Sequence, residues 1–416
     1  MINVTNKDSA IVRELAKQYR ELSESPVNIE RERRMRNVNG LKPDRPPVWI
    51  HEIPWNEMDI DGQLTLQCED APAREIEQQL RRELFRWKYF QADMVARPFY
   101  RVRKTMRDTG FGVNISERVI ATDKNNYIVS HAYHDQLDDD AKLDTLRCPV
   151  VIVDAEADSR NLAYTEELMG GILPVKLSGY SIGHAPWDTI SMLRGVEPIL
   201  IDMVERPDFI HRTISKFTEL YTSRAEQMES LGLLEANPDD IHCTPPFTDE
   251  LPLPDYDERR PIKLSDVWFR GMAQIFSAVS ADMHEEFDLQ YMCPLMARCG
   301  LVYYGCCEPL DNFISRLKTV PNMRKIGVSP WSDVRACAEQ IGGNYVLARK
   351  PNPALVVSPF DADAVRRETV ETVEACLKYG CPYELVLKDI STVSYRPRNL
   401  IAWNDTVRQV LDEYYE

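Results

Sequence analysis

Two adjacent cysteines and a glutamate are the residues of this chain best suited to chemistry, and they occur in the segment LVYYGCCEP at positions 301–309. Thiolates and carboxylates are zinc ligands, so Cys306, Cys307 and Glu308 are candidate metal ligands, and Glu308 is also a candidate catalytic residue. The apolar residues before the cysteines predict a buried strand, and Pro309 predicts the first turn of a helix. In a barrel of alternating strands and helices, active sites lie at such junctions.

The same two cysteines have a simpler interpretation as packing residues. Cysteine is among the most buried residue types, so Cys306 and Cys307 could serve only as small hydrophobic side chains. Neighbouring side chains on an extended strand also point to opposite faces, so both sulfurs reach one cavity only where the backbone turns. The functional and the packing interpretations both stay open at this point.

Three other places along the chain offer ligand or catalytic side chains: His242 with Cys243, the segment MHEE at positions 283–286, and Asp389. We predict His242 and Asp389 as further catalytic residues, and Asp389 also as a metal ligand because it follows the last predicted strand. The alternatives are that Asp389 caps a turn and that the MHEE segment ends a solvated helix.

Aromatic residues near predicted strand ends indicate a substrate pocket. Rings of this kind bind flat apolar ligands by offset stacking, so an aromatic or methoxylated ring would be a suitable guest. Core packing is the alternative explanation, because large aromatic side chains also dominate protein interiors. The residues that we predict to bind substrate are Trp49, Trp55, Tyr180, His184 and Trp187.

The elements that must position these residues alternate between strands and helices. Apolar runs predict strands at 46–54, 173–177, 266–269, 301–305, 325–328, 345–348 and 384–388, with less regular strands at 94–102 and 113–121. Helical periodicity predicts helices at 71–90, 196–204, 209–231, 271–287, 333–341, 362–378 and 399–414. This alternation is typical of an α/β protein with a parallel sheet, and its many units favour a closed (β/α)8 TIM barrel.

The predicted barrel occupies residues 46–416 as a single domain, with an N-terminal helical extension at 1–45. Apolar residues at helical spacing between positions 8 and 38 predict one or two helices in that extension. Residues 238–261 are rich in proline and acidic residues and show no periodicity. A loop of this length in a compact domain is usually a lid or a binding segment.

Composition narrows the classes of function. The 416 residues carry a formal net charge of -16, which argues against a nucleic-acid partner because phosphate binding needs a concentrated basic face. No run of about 18 apolar residues and no signal-like start occurs, so we expect no membrane partner and a cytoplasmic location. The ten cysteines form no Cys-x-x-Cys pair, which argues against a zinc ribbon. Monomer and homodimer both stay open.

Three segments resemble the uroporphyrinogen decarboxylase superfamily. GVEPILIDMVERPDF at 195–209 is similar to its glycine-x-glutamate helix with a break at proline, and PVWI at 47–50 is similar to its first barrel strand. YGCCE at 304–308 falls where the methyltransferase members carry a His-x-Cys-Gly zinc motif, although Tyr304 or Gly305 stands at the histidine position. Asp389 lies near where the related thiol methyltransferases carry a cysteine ligand.

The resemblance implies a TIM barrel that is either a tetrapyrrole decarboxylase or a cobalamin-linked methyltransferase. The segment HEIPWNE at 51–57 contains no arginine to receive the carboxylates of a porphyrinogen, which favours the methyltransferase branch. We therefore expect a zinc-dependent methyltransferase that moves a methyl group from a small methylated substrate, such as an aryl methyl ether, to a corrinoid protein. Its cobalamin would arrive on that separate protein, because the chain has no Asp-x-His-x-x-Gly segment. The alternatives are a metal-free decarboxylase or lyase of the same superfamily and a non-catalytic binding barrel.

Overall fold

The computed structural model describes residues 5–42, 44–121, 126, 128–257 and 259–415. Its strands are β1 Val48–Ile50, β2 Tyr100–Arg103, β3 Met106–Asp108, β4 Glu117–Ile120, β5 Ser130–Tyr133, β6 Val151–Val153, β7 Val175–Ser178, β8 Ile182–His184, β9 Trp268–Gly271, β10 Leu301–Tyr304, β11 Met323–Val328, β12 Val346–Arg349 and β13 Tyr383–Leu387.

The α-helices of the same residues are α1 Asn6–Ser23, α2 Pro26–Asn39, α3 Ala71–Tyr89, α4 Asp140–Leu143, α5 Ala155–Met169, α6 Pro186–Arg194, α7 Val196–Glu205, α8 Pro207–Ser230, α9 Ala281–His284, α10 Gln290–Met296, α11 Ile314–Leu317, α12 Val334–Ile341, α13 Ala362–Tyr379 and α14 Arg398–Tyr414. Single helical turns of the 3₁₀ or π type lie between several of them. None of the helices in the described part of the chain has the length and apolarity needed to cross a membrane.

A seven-stranded parallel sheet forms the centre of the molecule, in the order β1-β13-β12-β11-β10-β9-β8. Every residue of β1, β10, β12 and β13 is buried, as expected for strands that are covered on both faces. Because the strands are parallel, their carboxyl ends meet at one edge, and that edge carries His51, Gly305 and Lys388. The predicted α/β architecture with a parallel sheet is confirmed.

The closed eight-stranded barrel is not observed among the described residues, because no strand joins β8 to β1. Beside β1, the Asp93 N–H donates to the Val48 carbonyl at 2.6 Å, while the Asp93 carboxylate accepts the Val48 N–H at 2.8 Å. The segment beside β1 therefore contacts that strand at Asp93 and forms no further strand of the central sheet among the described residues. Strands β2 and β7 pair with each other in parallel instead.

The segment from Ile241 to Leu251 packs against one face of the central sheet. Residues 243–248 are all buried. The Trp268 indole of β9 donates to the Pro246 carbonyl at 2.9 Å, and the Lys325 ammonium of β11 donates to the Pro245 carbonyl at 3.1 Å. Residues 243–248 of the loop predicted at 238–261 are therefore part of the interior.

The helical part of the chain follows the predictions closely in its last third. Helix α13 is capped by the Asp361 carboxylate at its start and ends at Gly380, which takes the left-handed conformation. The single helix predicted at 271–287 is wrong, because Ser280 caps a new helix there and a π turn follows at Glu285–Leu289.

At the other end of the chain, α1 packs on α3 and α5. The division into a helical extension and a barrel stays a prediction.

Candidate metal centre

The turn after β10 aims the cysteine pair into the carboxyl edge of the sheet. Gly305 has a φ of +117°, and its N–H donates to the Gly271 carbonyl at 2.9 Å. A Cβ at this position would lie 2.8 Å from a methyl carbon of Leu310 and 3.0 Å from the Cα of Gly327. Both the backbone angle and the space therefore require glycine here. The chain leaves the strand at this residue, and Cys306 begins the turn.

The carboxylate of Glu308 holds that turn. Its Oε2 accepts the Cys306 N–H at 3.0 Å, and its Oε1 accepts the Ala273 N–H at 3.1 Å. Burial raises the pKa of Glu308 to about 7, against the lowering effect of these backbone hydrogen bonds. The structure thus places Glu308 where it fixes the backbone of Cys306. Its predicted roles as a metal ligand and as a catalytic residue stay predictions.

Three donor atoms form a cluster beside this turn. The Sγ of Cys306 lies 3.6 Å from the Nε2 of His242 and 4.0 Å from the Sγ of Cys243, and all three atoms lie within 4.8 Å of one another. Tetrahedral zinc with ordinary bond lengths separates two sulfur ligands by roughly 3.8 Å and a sulfur and a nitrogen ligand by roughly 3.6 Å. The donor set and its spacing therefore fit zinc.

The backbone around His242 orients its ring toward the sulfurs. His242 has a φ of +73°, and its N–H donates to the Asp240 carboxylate at 3.2 Å. Burial, followed by the positive charges of Arg270 and Lys388, lowers the pKa of His242 to about 3. The imidazole is therefore neutral at physiological pH, which is the form that binds a metal.

Cys307 and Asp389 lie on the other side of Cys306. The Sγ of Cys307 is 3.7 Å from the Sγ of Cys306 and 3.0 Å from the Oδ2 of Asp389. The Lys388 ammonium donates to both sulfurs, at 3.0 and 3.3 Å, and to the Asp389 carboxylate at 2.7 Å. One buried cation thus connects the cysteine pair to the end of β13.

Two more buried lysines lie near the cluster. Lys325 is paired with Glu384 at 2.8 Å, whereas the ammonium of Lys350 donates to the carbonyl of Cys243 at 2.7 Å. Within the described residues, Lys350 has no carboxylate partner. Burial raises the pKa of the Cys243 thiol, while Lys350 and Lys388 lower it. The two lysines therefore reduce the cost of the thiolate form that a metal binds.

Two residues with left-handed backbone angles face each other where β1 and β13 end. Glu52 has a φ of +52° and Asp389 a φ of +57°, and the Asp389 N–H donates to the Glu52 carboxylate at 2.8 Å. Such angles cost energy in residues other than glycine and often mark functional sites. Burial raises the pKa of Glu52 to about 7. Burial also acts to raise the pKa of Asp389, but Lys388 and Cys307 outweigh it and hold that pKa below its ordinary value.

Two adjoining cavities lie near the donor cluster, and the smaller one has His242 in its wall. The smaller has a volume of about 310 Å³ and is lined by His242, Arg270 and Tyr180 among others. The larger has a volume of about 450 Å³ and is lined by Trp49 and His51 among others. Both volumes are within the range of small-molecule pockets. The residues that line both cavities are Arg101, Arg103, Ser178, Asp239 and Asp240.

Two of the five predicted substrate-binding residues line these cavities. Trp49 lies in the wall of the larger one, where its ring stacks on His51 at 5.0 Å. Tyr180 lies in the wall of the smaller one, and its hydroxyl donates to the Lys104 carbonyl at 2.5 Å. Their predicted role is untested, and their position is compatible with it.

The other three predicted residues lie elsewhere. Trp187 is completely buried in the helical core, where its indole donates to the Phe287 carbonyl at 3.0 Å. His184 is buried against Phe269, with ring centroids 5.3 Å apart. Trp55 lines a separate pocket on the outer side of α3. The structure therefore brings none of these three side chains to the donor cluster, and their assignment to a substrate pocket stays untested.

Sequence reasoning brought His242, Cys306, Cys307 and Asp389 to attention, and the structure places them together. Sequence reasoning named Cys243 with His242 as a place that offers ligand side chains, but it predicted His242 as a catalytic residue and did not include Cys243 among the metal ligands. It also missed Lys388, for which the only available signal was its position directly before Asp389.

No family model and no curated protein matches this chain. Among solved structures, the chain is similar to a methyltransferase from Methanosarcina mazei, with 14% sequence identity and a TM-score of 0.50. The match covers 93% of this chain and 99% of the other. At this identity the similarity shows a shared fold, and membership of the uroporphyrinogen decarboxylase superfamily stays a prediction.

Proposed function

We propose that this chain is a zinc-dependent methyltransferase, which passes a methyl group from a small methylated substrate to the cobalt of a separate corrinoid protein. The observation that carries this proposal is the donor set of His242, Cys243 and Cys306, in which the Cys306 sulfur lies at zinc-compatible distances from the other two donor atoms, with His242 in the wall of a cavity. The fold shared with a methyltransferase supports it.

Zinc held by His242, Cys243 and Cys306 would keep a fourth position open and would act there as a Lewis acid on the heteroatom that carries the methyl group. Lys388 is a positioning residue, because its hydrogen bonds fix the sulfurs of Cys306 and Cys307. The buried sides of Cys243 and Cys306 exclude water from the interior side of the centre.

The cavities indicate a small substrate. The stacked pair of Trp49 and His51 offers a flat wall, which suits an aryl methyl ether. Because both cavities are of small-molecule size, the corrinoid is assigned to a separate protein that approaches the carboxyl edge of the sheet.

The experiment that tests this proposal measures bound zinc in protein purified after zinc-supplemented expression. We expect about one zinc ion per chain in the wild type and loss of zinc in H242A, C243S and C306S. The control is C148S, which removes an exposed cysteine and should retain zinc. C307S and D389N test two of the three further predicted ligands in the same assay, the third being Glu308.

Activity is measured as methyl transfer from an aryl methyl ether to cob(I)alamin, followed by the absorbance of the corrinoid. Loss of zinc and of transfer in the same three variants supports the proposal. A wild type without zinc contradicts it and favours the metal-free decarboxylase or lyase. Zinc without transfer, together with a thermal shift on ligand addition, favours the non-catalytic binding barrel.

A further inference from the structure

Two arginines in the smaller cavity have no carboxylate partner among the described residues. Arg103 lies at the end of β2, with its guanidinium 5.2 Å from the ring centroid of Tyr180. Arg270 lies on β9, and its Nη1 donates to the sulfur of Met272 at 3.2 Å. A thioether is a weak acceptor, so most of the hydrogen-bonding capacity of Arg270 is unused.

The other charged groups of this cavity are already engaged within the protein. Arg101 lies 3.4 Å from the carboxylate of Glu235 and 3.0 Å from that of Asp239. Asp240 accepts the backbone N–H of His242 at 3.2 Å. Of the positively charged groups on this wall, the guanidinium groups of Arg103 and Arg270 are therefore the ones left for an anionic ligand among the described residues.

The absence of a side chain at Gly183 leaves space for the guanidinium of Arg270. A Cβ on Gly183 would lie 2.8 Å from Nε and 3.0 Å from Nη2 of Arg270. Because Gly183 lies on β8 directly opposite Arg270, any larger residue would displace the guanidinium from the sheet. Gly183 therefore leaves free the space that the guanidinium of Arg270 occupies in the cavity wall.

Guanidinium groups bind planar oxyanions through paired, charge-assisted hydrogen bonds, with carboxylates as the closest geometric match. We propose that the methylated substrate is an oxyanion, most simply a carboxylate, which Arg103 and Arg270 hold with its methyl-bearing end toward His242, Cys243 and Cys306. This inference rests on the proposed function and adds the chemical class of its substrate.

The test uses calorimetric titration of the full chain with 4-methoxybenzoate and with 4-methoxybenzamide, which has the same shape and no charge. We expect the wild type to bind the acid at least tenfold more tightly than the amide, since a hydrogen bond to a charged group is worth about 1.5–3 kcal/mol. R270M and R103M should each lose roughly tenfold to a hundredfold in affinity for the acid and little for the amide. The matched control is R212M, whose exposed guanidinium is paired with Asp140 on the outer surface and should leave both affinities unchanged.

Equal affinities of acid and amide for the wild type would overturn the inference, and so would a preference for the acid that survives in the R103M/R270M double variant. Failure of the acid to bind at millimolar concentration would also overturn it. A sulfonate analogue that binds as tightly as the acid supports recognition of oxyanions, while inorganic phosphate that binds more tightly than every aromatic acid contradicts an aromatic carboxylate. Zinc content is measured on the same samples, so that loss of the metal centre and loss of anion recognition are told apart.

Discussion

The ammonium nitrogen of Lys388 lies 3.0 Å from the sulfur of Cys306. Burial on its own would favour the neutral amine, but Cys306, Cys243 and Asp389 raise the pKa of Lys388 above its ordinary value. The side chain is therefore a buried cation that faces the donor cluster. The carboxylate that pairs with this cation is that of Asp389, 2.7 Å away.

Replacing Lys388 with methionine should destabilise the protein. K388M retains most of the volume and removes the donor shared by the two sulfurs and Asp389, so the free energy of unfolding should fall by about 1.5–3 kcal/mol. Urea denaturation measures this change. K17M removes an exposed lysine of α1 and should change stability by less than about 0.5 kcal/mol. Equal effects of the two substitutions would mean that Lys388 has no structural role.

The buried pair of Lys325 and Glu384 should show strong coupling. Both side chains are buried and their charged atoms lie 2.8 Å apart, so K325M or E384M alone should cost about 3–5 kcal/mol by leaving an uncompensated charge. The K325M/E384M double variant should cost much less than the sum of the single changes. A double-mutant cycle by urea denaturation checks this, and additive effects would contradict it.

Gly305 should tolerate no side chain. G305A places a methyl group against Leu310 and Gly327 at a backbone angle that other residues avoid, so we expect a loss of about 1–3 kcal/mol and reduced zinc binding through displacement of Cys306. G110A is the control, because Gly110 also has a positive φ but nothing within 4 Å of its added Cβ. Denaturation measures the stability of both variants, and zinc analysis measures their metal content. A zinc content in G305A equal to that in G110A would show that the turn does not position the ligand.

The buried carboxyl of Asp288 should make stability depend on pH. Burial raises its pKa from 3.8 to about 8, so the folded protein keeps a proton that the unfolded chain has released at neutral pH. The stabilisation is complete below the unfolded value and is lost as pH rises through the folded value, at up to about 1.4 kcal/mol per pH unit. Asparagine cannot ionise, so the melting temperature of D288N relative to the wild type should increase between pH 5 and pH 8.

The control for this pH series is D282N, which changes an exposed acid near the same helices. Its melting temperature relative to the wild type should change little over the same interval. A difference between D288N and the wild type that stays constant with pH would show that Asp288 does not titrate as its burial requires.

The order of strands and helices after residue 300 could be predicted from sequence because apolar runs and caps are local signals. Asp361 and Gly380 mark the ends of α13 in the sequence as clearly as in the structure. The opening of the sheet could not be predicted in this way. Strand pairing depends on contacts between residues far apart in sequence, such as that of the Asp93 side chain with the backbone of Val48.

In the candidate site, too, local sequence signals could be recognised and contacts between distant residues could not. Cys306 and Cys307 were found because two thiols at a strand end are unusual, whereas Cys243 becomes a donor through the turn at His242 that aims its neighbour at Cys306. Arg270 is inconspicuous in the sequence, since its exposure in a cavity depends on Gly183 in the adjacent strand.

The opening between β8 and β1 has a consequence for redesign. Except for Arg270, the residues that line the smaller cavity belong to β2, to the region from Ser178 to Ser181, and to the stretch from 235 to 242, whereas Cys306 and Lys388 follow strands of the continuous sheet. Substitutions in most of that wall leave the hydrogen-bonded framework beneath Cys306 untouched. If the proposed function holds, directed evolution of that wall outside His242 should change substrate preference with little loss of bound zinc.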